Sequence, residues 1–266
     1  MYGKENLRGE ILLLTAFLLT GCMSARVDPP EETDRSGATV QRRVLIRHQG
    51  VETNADVYLP ENWRGKPLVI VAHGFSRGRR NMAGWGRFLA EQDVIALVPD
   101  LPHFSDHQQN ARFLVDLVGG LQDVEGLEDW RETRVGLMGF SAGGLATLLA
   151  AAELPELDVW IGLDPVDRDE LGLTAAPRVS SPAWVLLADP SSCNAQGNAA
   201  AWTASLPHAQ TVRIQGASHV DGENPTDWLA GWICGAFNPE HHQAFQRAVL
   251  QALKETGWLP DKSAAP

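Results

Sequence analysis

The sequence predicts an α/β domain: a mostly parallel eight-stranded sheet with helices on both faces. Three observations carry this. Short runs rich in Val, Ile and Leu alternate along residues 41–260 with segments of helical spacing, and parallel strands need such crossover segments. No repeat or low-complexity stretch interrupts that alternation, so a single domain is expected. The 266 residues are 44% apolar and 21% charged with 3 Cys, which excludes a disordered chain, a multispan membrane protein and a small disulfide scaffold.

Taken in order, residues 43–47 and 55–59 read as an antiparallel opening pair split by Gly50. Strands follow at 67–72, 94–98, 133–139, 159–163, 183–188 and 211–214, each a short β-rich run bounded by turn residues. Helices fit between them at 82–91, 108–121, 142–153 and 199–206. A last helix spans 239 to about 256, where Asn238 caps, Pro239 suits the first helical position, and Phe245, Val249, Leu250 and Leu253 repeat at helical spacing. Trp85 and Trp160 are expected in the core rather than in a binding subsite.

Residues 1–21 read as an export signal, with Lys4 and Arg8 before an apolar run at 11–20 that is too short to span a bilayer. Leu19-Thr20-Gly21-Cys22 resembles the bacterial lipobox, which implies cleavage before Cys22 and acylation of its thiol. Acyl chains at roughly 0.8 kcal/mol per buried methylene would then anchor the chain to a membrane without spanning it. Residues 22–40 carry Pro29-Pro30, acids and small polar groups without hydrophobic period, as a tether does, and 41–266 form the catalytic domain. Met23 after the Cys resembles lipoproteins sorted to an outer membrane, so the expected location is the bacterial cell envelope, facing periplasm or surface. The formal charge is −11, with no Lys/Arg cluster, which argues against nucleic acid as a partner.

Chemistry concentrates in three places. Gly139-Phe140-Ser141-Ala142-Gly143 lies between a predicted strand and a predicted helix, the context a G-x-S-x-G elbow requires. Such a turn lifts the Ser141 hydroxyl clear of the sheet at the positive end of the helix dipole. His73-Gly74-Phe75 directly follows the strand at 67–72, and His219 follows the last strand. Together these resemble the α/β-hydrolase superfamily over nearly all of residues 41–260. The resemblance implies an α/β-hydrolase fold, Ser141 as nucleophile and His219 as base. It also implies an oxyanion hole from the backbone N–H groups of Phe75 and Ala142, with His73 structural.

Within that superfamily, the segment from Phe75 to Asp100 resembles dienelactone-hydrolase-like and cutinase-like polyester hydrolases, and Gly162-Leu163-Asp164-Pro165-Val166-Asp167 resembles chlorophyllases. The chlorophyllase elbow has His before and Arg after its Ser, whereas this chain has Phe140 and Ala142, so chlorophyll is not implied. The acid has two candidates. Asp164 ends the sixth strand, where the chlorophyllase-like and platelet-activating-factor-hydrolase-like branches keep it; Asp189 ends the seventh, where most α/β-hydrolases do. The stiff turn at Pro165 favours Asp164, and Asp167 is a weaker third choice.

The implied reaction is hydrolysis of a carboxylic ester, small, lipid or polyester, through an acyl-enzyme with no metal or other cofactor. The short stretch between the sixth and seventh strands leaves no room for a large lid. The same triad serves acyltransferases and peptidases, and a lipid-tethered binding protein without activity is a further alternative. With Cys22 acylated, Cys193 and Cys234 remain as an even pair in an oxidising compartment. They are either two buried thiols or a disulfide contributing roughly 3 to 4 kcal/mol by the chain-entropy model.

Overall fold

The computed structural model describes residues 40–48, 50–132 and 134–259; the signal run, Cys22 and the tether up to residue 39 lie outside them. Eight strands form one sheet in the order β1-β2-β4-β3-β5-β6-β7-β8. β1 (Val40–His48) and β2 (Val51–Leu59) make the antiparallel hairpin, and β2 pairs antiparallel with β4 (Ile95–Pro99). β3 (Leu68–Ala72), β4, β5 (Val135–Phe140), β6 (Val159–Leu163), β7 (Ala183–Leu187) and β8 (Ala209–Arg213) run parallel.

Seven α-helices are described: α1 (Ala83–Glu91), α2 (His107–Gly119), α3 (Ala142–Ala151), α4 (Leu171–Ala175), α5 (Ala200–Thr203), α6 (Trp228–Cys234) and α7 (Pro239–Glu255). Side chains alternate across each strand. Leu68, Ile70, Leu137, Trp160 and Val185 therefore pack toward α2, α3 and Trp202 on one face. Val69, Val71, Met138, Ile161 and Leu186 pack toward α1 and α7 on the other. The central strands are buried on both faces, which is why they read as continuous apolar runs.

α7 is capped by Asn238, which accepts the Glu240 N–H at 2.9 Å, and it buries Phe245, Val249, Ala252 and Leu253. Each large apolar side chain so buried contributes roughly 1.5–3 kcal/mol. Trp85 and Trp160 are fully buried, and Trp160 Nε1–H donates to Thr147 Oγ1 at 3.0 Å, tying β6 to α3.

Three elements depart from the sequence expectation. The helix expected at 199–206 is confined to Ala200–Thr203, since Pro207 disfavours helical backbone in the residue before it. α4 and α6 were not foreseen. α4 is only five residues long; α6 turns Trp228 and Trp232 outward and buries only Ala230, so it shows no core-facing period.

Strand order reverses between β3 and β5, because β4 lies on one side of β3 and β5 on the other. In open α/β sheets the crevice at such a switch point, at the carboxyl ends of the strands, is where ligands sit. Both Gly74 and Ser141 follow those strand ends.

Candidate active site

Ser141 joins β5 to α3 with φ 54° and ψ −122°, a backbone conformation costing about 1–3 kcal/mol for a residue with a side chain. Two glycines make the turn possible. A Cβ on Gly143 would collide with the His73 carbonyl oxygen, and one on Gly139 with the Gly143 carbonyl. The loop after β3 thus passes directly over the start of α3. That loop is fixed by the His73 ring, whose Nδ1–H donates to the Gly74 carbonyl at 2.9 Å while Nε2 accepts the Leu101 N–H at 2.9 Å. Burial pushes the His73 pKa down, in keeping with a neutral ring holding this single tautomer.

The Ser141 hydroxyl donates to His219 Nε2 at 2.9 Å. On the far side of the ring, His219 Nδ1–H donates to Asp164 Oδ2 at 2.6 Å. His219 sits in a 3₁₀ turn, His219–Gly222, after β8. Asp221 in the same turn anchors it, accepting the Ser218 N–H at 2.8 Å and the Asn238 N–H at 2.6 Å. Phe140, just before Ser141, lies against the His219 imidazole with ring centroids 4.7 Å apart.

Asp164 is 1% exposed and adopts φ 41° at the end of β6, a left-handed conformation that Asp tolerates better than most residues. Its Oδ1 accepts the Ala188 N–H at 2.9 Å, and Asn194 Nδ2 donates to its Oδ2 at 3.0 Å. Asp189 is turned elsewhere, its Oδ2 accepting the Gly216 N–H at 2.9 Å. Asp167 caps locally, accepting the Arg168 and Gly172 N–H groups.

Phe75 and Ala142 lie beside Ser141. Ala142 is the first residue of α3, so its N–H has no acceptor within the helix and points from the positive end of the dipole. The Ser141 hydroxyl and His219 open onto a cavity of about 680 Å³ walled by Phe75, Phe104, Phe140, Val220 and Ile233. Phe75 and Phe104 pack against each other in this wall, ring centroids 4.6 Å apart. One polar corner interrupts this wall. Arg77 Nε faces Glu223 Oε2 at 3.1 Å, and Arg77 Nη1–H donates to Asp227 at 2.9 Å. Burial pushes the Glu223 carboxyl up; Arg77 and the Thr226 hydroxyl donating at 2.6 Å pull it back.

The segment after the Phe75 loop is bonded to the segment carrying His219. Trp85 Nε1–H donates to the Gly222 carbonyl at 2.9 Å, the Gly84 N–H to the Asn224 carbonyl at 2.8 Å, and the Asn224 N–H to the Asn81 carbonyl at 2.8 Å. Cys193 and Cys234 form a disulfide that joins the turn after β7 to the end of α6.

Sequence reasoning overlooked Asn194 and the Arg77–Glu223 pair. Asn194 closes a three-residue 3₁₀ turn, Ser192–Asn194, too short to show a period. Its only trace is its place beside Cys193 in the run after Asp189. Among the described residues, no group of three or more His, Cys, Asp or Glu is arranged to hold a metal ion.

No family model matches the chain. A stretch of 125 residues is 34% identical to a bis(hydroxyethyl) terephthalate hydrolase of Streptomyces coelicolor, covering 46% of this chain and 38% of that protein. Among solved structures, dienelactone hydrolase from Anabaena variabilis superposes with a TM-score of 0.66 at 21% identity, over 82% of this chain and 98% of that one. Est1E from Butyrivibrio proteoclasticus gives 0.64 at 17% identity, over 80% and 98%, and a second Est1E structure holds bound ferulic acid. The architecture is that of the α/β-hydrolase fold.

Proposed function

We propose that this chain is a serine hydrolase of carboxylic esters, with Ser141 as nucleophile, His219 as general base and acid, and Asp164 as the carboxylate that orients the base. The observation carrying this reading is the hydrogen-bonded chain Ser141–His219–Asp164 opening onto an apolar cavity. Ser141 Oγ attacks the ester carbonyl as its proton passes to His219 Nε2. The backbone N–H groups of Phe75 and Ala142 hold the oxyanion as charge develops on it. His219 then protonates the departing alcohol, and water, deprotonated by the same nitrogen, releases the acid. Asp164 keeps the proton on Nδ1, so that Nε2 is the free base. The names of the similar proteins support an ester as substrate: one is a terephthalate ester hydrolase, and Est1E holds an aromatic acid. The apolar walls suit an uncharged acyl or alcohol group, in keeping with a small-molecule, lipid or polyester ester.

Ser141→Ala tests the reading. It should lower p-nitrophenyl ester turnover by several powers of ten while the protein stays folded, because the change removes one hydroxyl and its single hydrogen bond to His219. A fluorophosphonate should label wild type and not the variant. Wild-type turnover in Ser141→Ala overturns the assignment, and product analysis with added alcohol separates hydrolysis from acyl transfer.

The lipobox-like run carries a second part of the reading, that Cys22 is acylated and holds the domain at the cell envelope. Cys22→Ala should move the protein from the membrane to the soluble fraction or stop its maturation. Unchanged fractionation and migration would remove the anchor.

A further inference from the structure

α6 is an inverted helix. Of its seven residues only Ala230 is buried, while Trp228 and Trp232 are 81% and 80% exposed. At positions i and i+4 they share one face, opposite Ala230. The helix is nonetheless held firmly. Asp227 caps it, accepting the Ala230 N–H at 2.8 Å; Arg77 binds Asp227; and the Cys193–Cys234 disulfide ties its last residue to the turn after β7. Its Ile233 and Cys234 line the catalytic cavity, and the exposed Phe104 lines it too. Two large indoles fixed in water beside a cavity mouth, on a helix that gains almost nothing from the core, call for an apolar surface outside the molecule.

We propose that Trp228 and Trp232 form a docking ridge for the surface of a condensed, uncharged ester, against which the cavity takes up single ester groups. This rests on the ester-hydrolase reading and specifies the physical state of the substrate. Two observations select this occupant. From Ala217 to Glu240 the chain carries no Lys or Arg, and Arg77, which packs against it, is already paired with Glu223 and Asp227, whereas helices that lie on anionic bilayers are rich in Lys and Arg. A second copy of the chain is disfavoured by area. Two Trp side chains bury roughly 300–500 Å², below the ~800 Å² per partner of a stable interface. Continuity with the cavity does the rest, since the helix whose outer face carries the indoles supplies part of the cavity wall.

The test uses the double variant Trp228→Ala/Trp232→Ala in the active chain and in the Ser141→Ala background. Neither Trp lines the cavity, so hydrolysis of dissolved p-nitrophenyl acetate should stay unchanged. Adsorption of the Ser141→Ala protein to tributyrin droplets should weaken by ~10-fold or more, as expected when two indoles stop being buried. The rate on the droplets should fall in parallel. Equal adsorption and droplet rates for wild type and variant overturn the ridge. So does binding to phosphatidylcholine or phosphatidylglycerol vesicles that matches droplet binding and depends on the same residues, which would make the occupant a membrane. A wild-type dimer that the variant converts to monomer makes it a second copy. If wild type fails on dissolved ester, the hydrolase reading falls by itself, and droplet adsorption of the Ser141→Ala protein still decides the ridge.

Discussion

The carboxyl ends of β6 and β7 are neighbours in the sheet, each followed closely by an aspartate, yet the two carboxylates lead different lives. Asp164 is enclosed and takes three donors, from Ala188, Asn194 and His219. Asp189 is only partly buried, and its carboxylate holds one backbone amide of the loop after β8. The end of β7 nevertheless serves the site, through other atoms. The Ala188 N–H reaches Asp164, and the Asp189 carbonyl accepts the second bond of the Asn194 amide at 2.9 Å. Standing at a strand end therefore does not select the acid. The left-handed turn at residue 164 and the donors that close around its carboxylate do.

Substitutions that exchange these two environments test the contrast. Asp164→Asn should cost roughly 10⁴-fold in turnover, because His219 loses the acceptor that holds its tautomer. Steady-state kinetics on a dissolved ester measure it, and a loss below about tenfold would break the contrast. Asn194→Ala should come next. It removes one donor from a buried charged acceptor, about 1.5–3 kcal/mol or roughly 10- to 100-fold in kcat with KM little changed, and it also loosens the turn by freeing the Ser191 and Gly197 N–H groups. Asn194→Asp sharpens the point. A second negative charge beside Asp164 favours the protonated base, so the acidic limb of the pH–rate profile should move to higher pH, which loss of packing alone would not do. Asp189→Asn should have the smallest effect, within about threefold in turnover and about 0.5 kcal/mol in stability by urea unfolding, since an amide oxygen still accepts the Gly216 N–H.

What the sequence made legible follows the same division between local and non-local causes. The five central strands, β3 to β7, were visible because burial on both faces writes itself into short runs of Val, Ile and Leu. Ser141 was visible because a strained turn between strand and helix demands glycine at fixed offsets. α7 was visible from its cap and from Phe245, Val249 and Leu253. The choice between Asp164 and Asp189 stayed open, because both satisfy the same local rule and only the turn geometry and the three-dimensional donors separate them. Asn194 was hidden for the same reason: its two roles depend on residues 164 and 189, brought to it by the sheet. α6 escaped because periodicity reports the face a helix hides, and this helix hides one alanine. The spacing of Trp228 and Trp232 was on view but carried no meaning until their exposure was known.

The stitching between residues 81–85 and 222–225 has a consequence for how the molecule opens. Those hydrogen bonds join the element that follows the Phe75 loop to the loop that carries His219, and they do not include β6 or the turn at Asn194. Local unfolding proceeds in contiguous cooperative units whose backbone bonds break together. The two loops thus belong to one such unit, which meets Asp164 through the His219 ring and the Asn194 turn through the Cys193–Cys234 disulfide. In native-state hydrogen exchange the amides of Gly84 and Asn224 should report a single shared opening free energy, distinct from that of Ala188. Heat would then displace Phe75 and His219 together, and under the proposed mechanism that single step would end turnover.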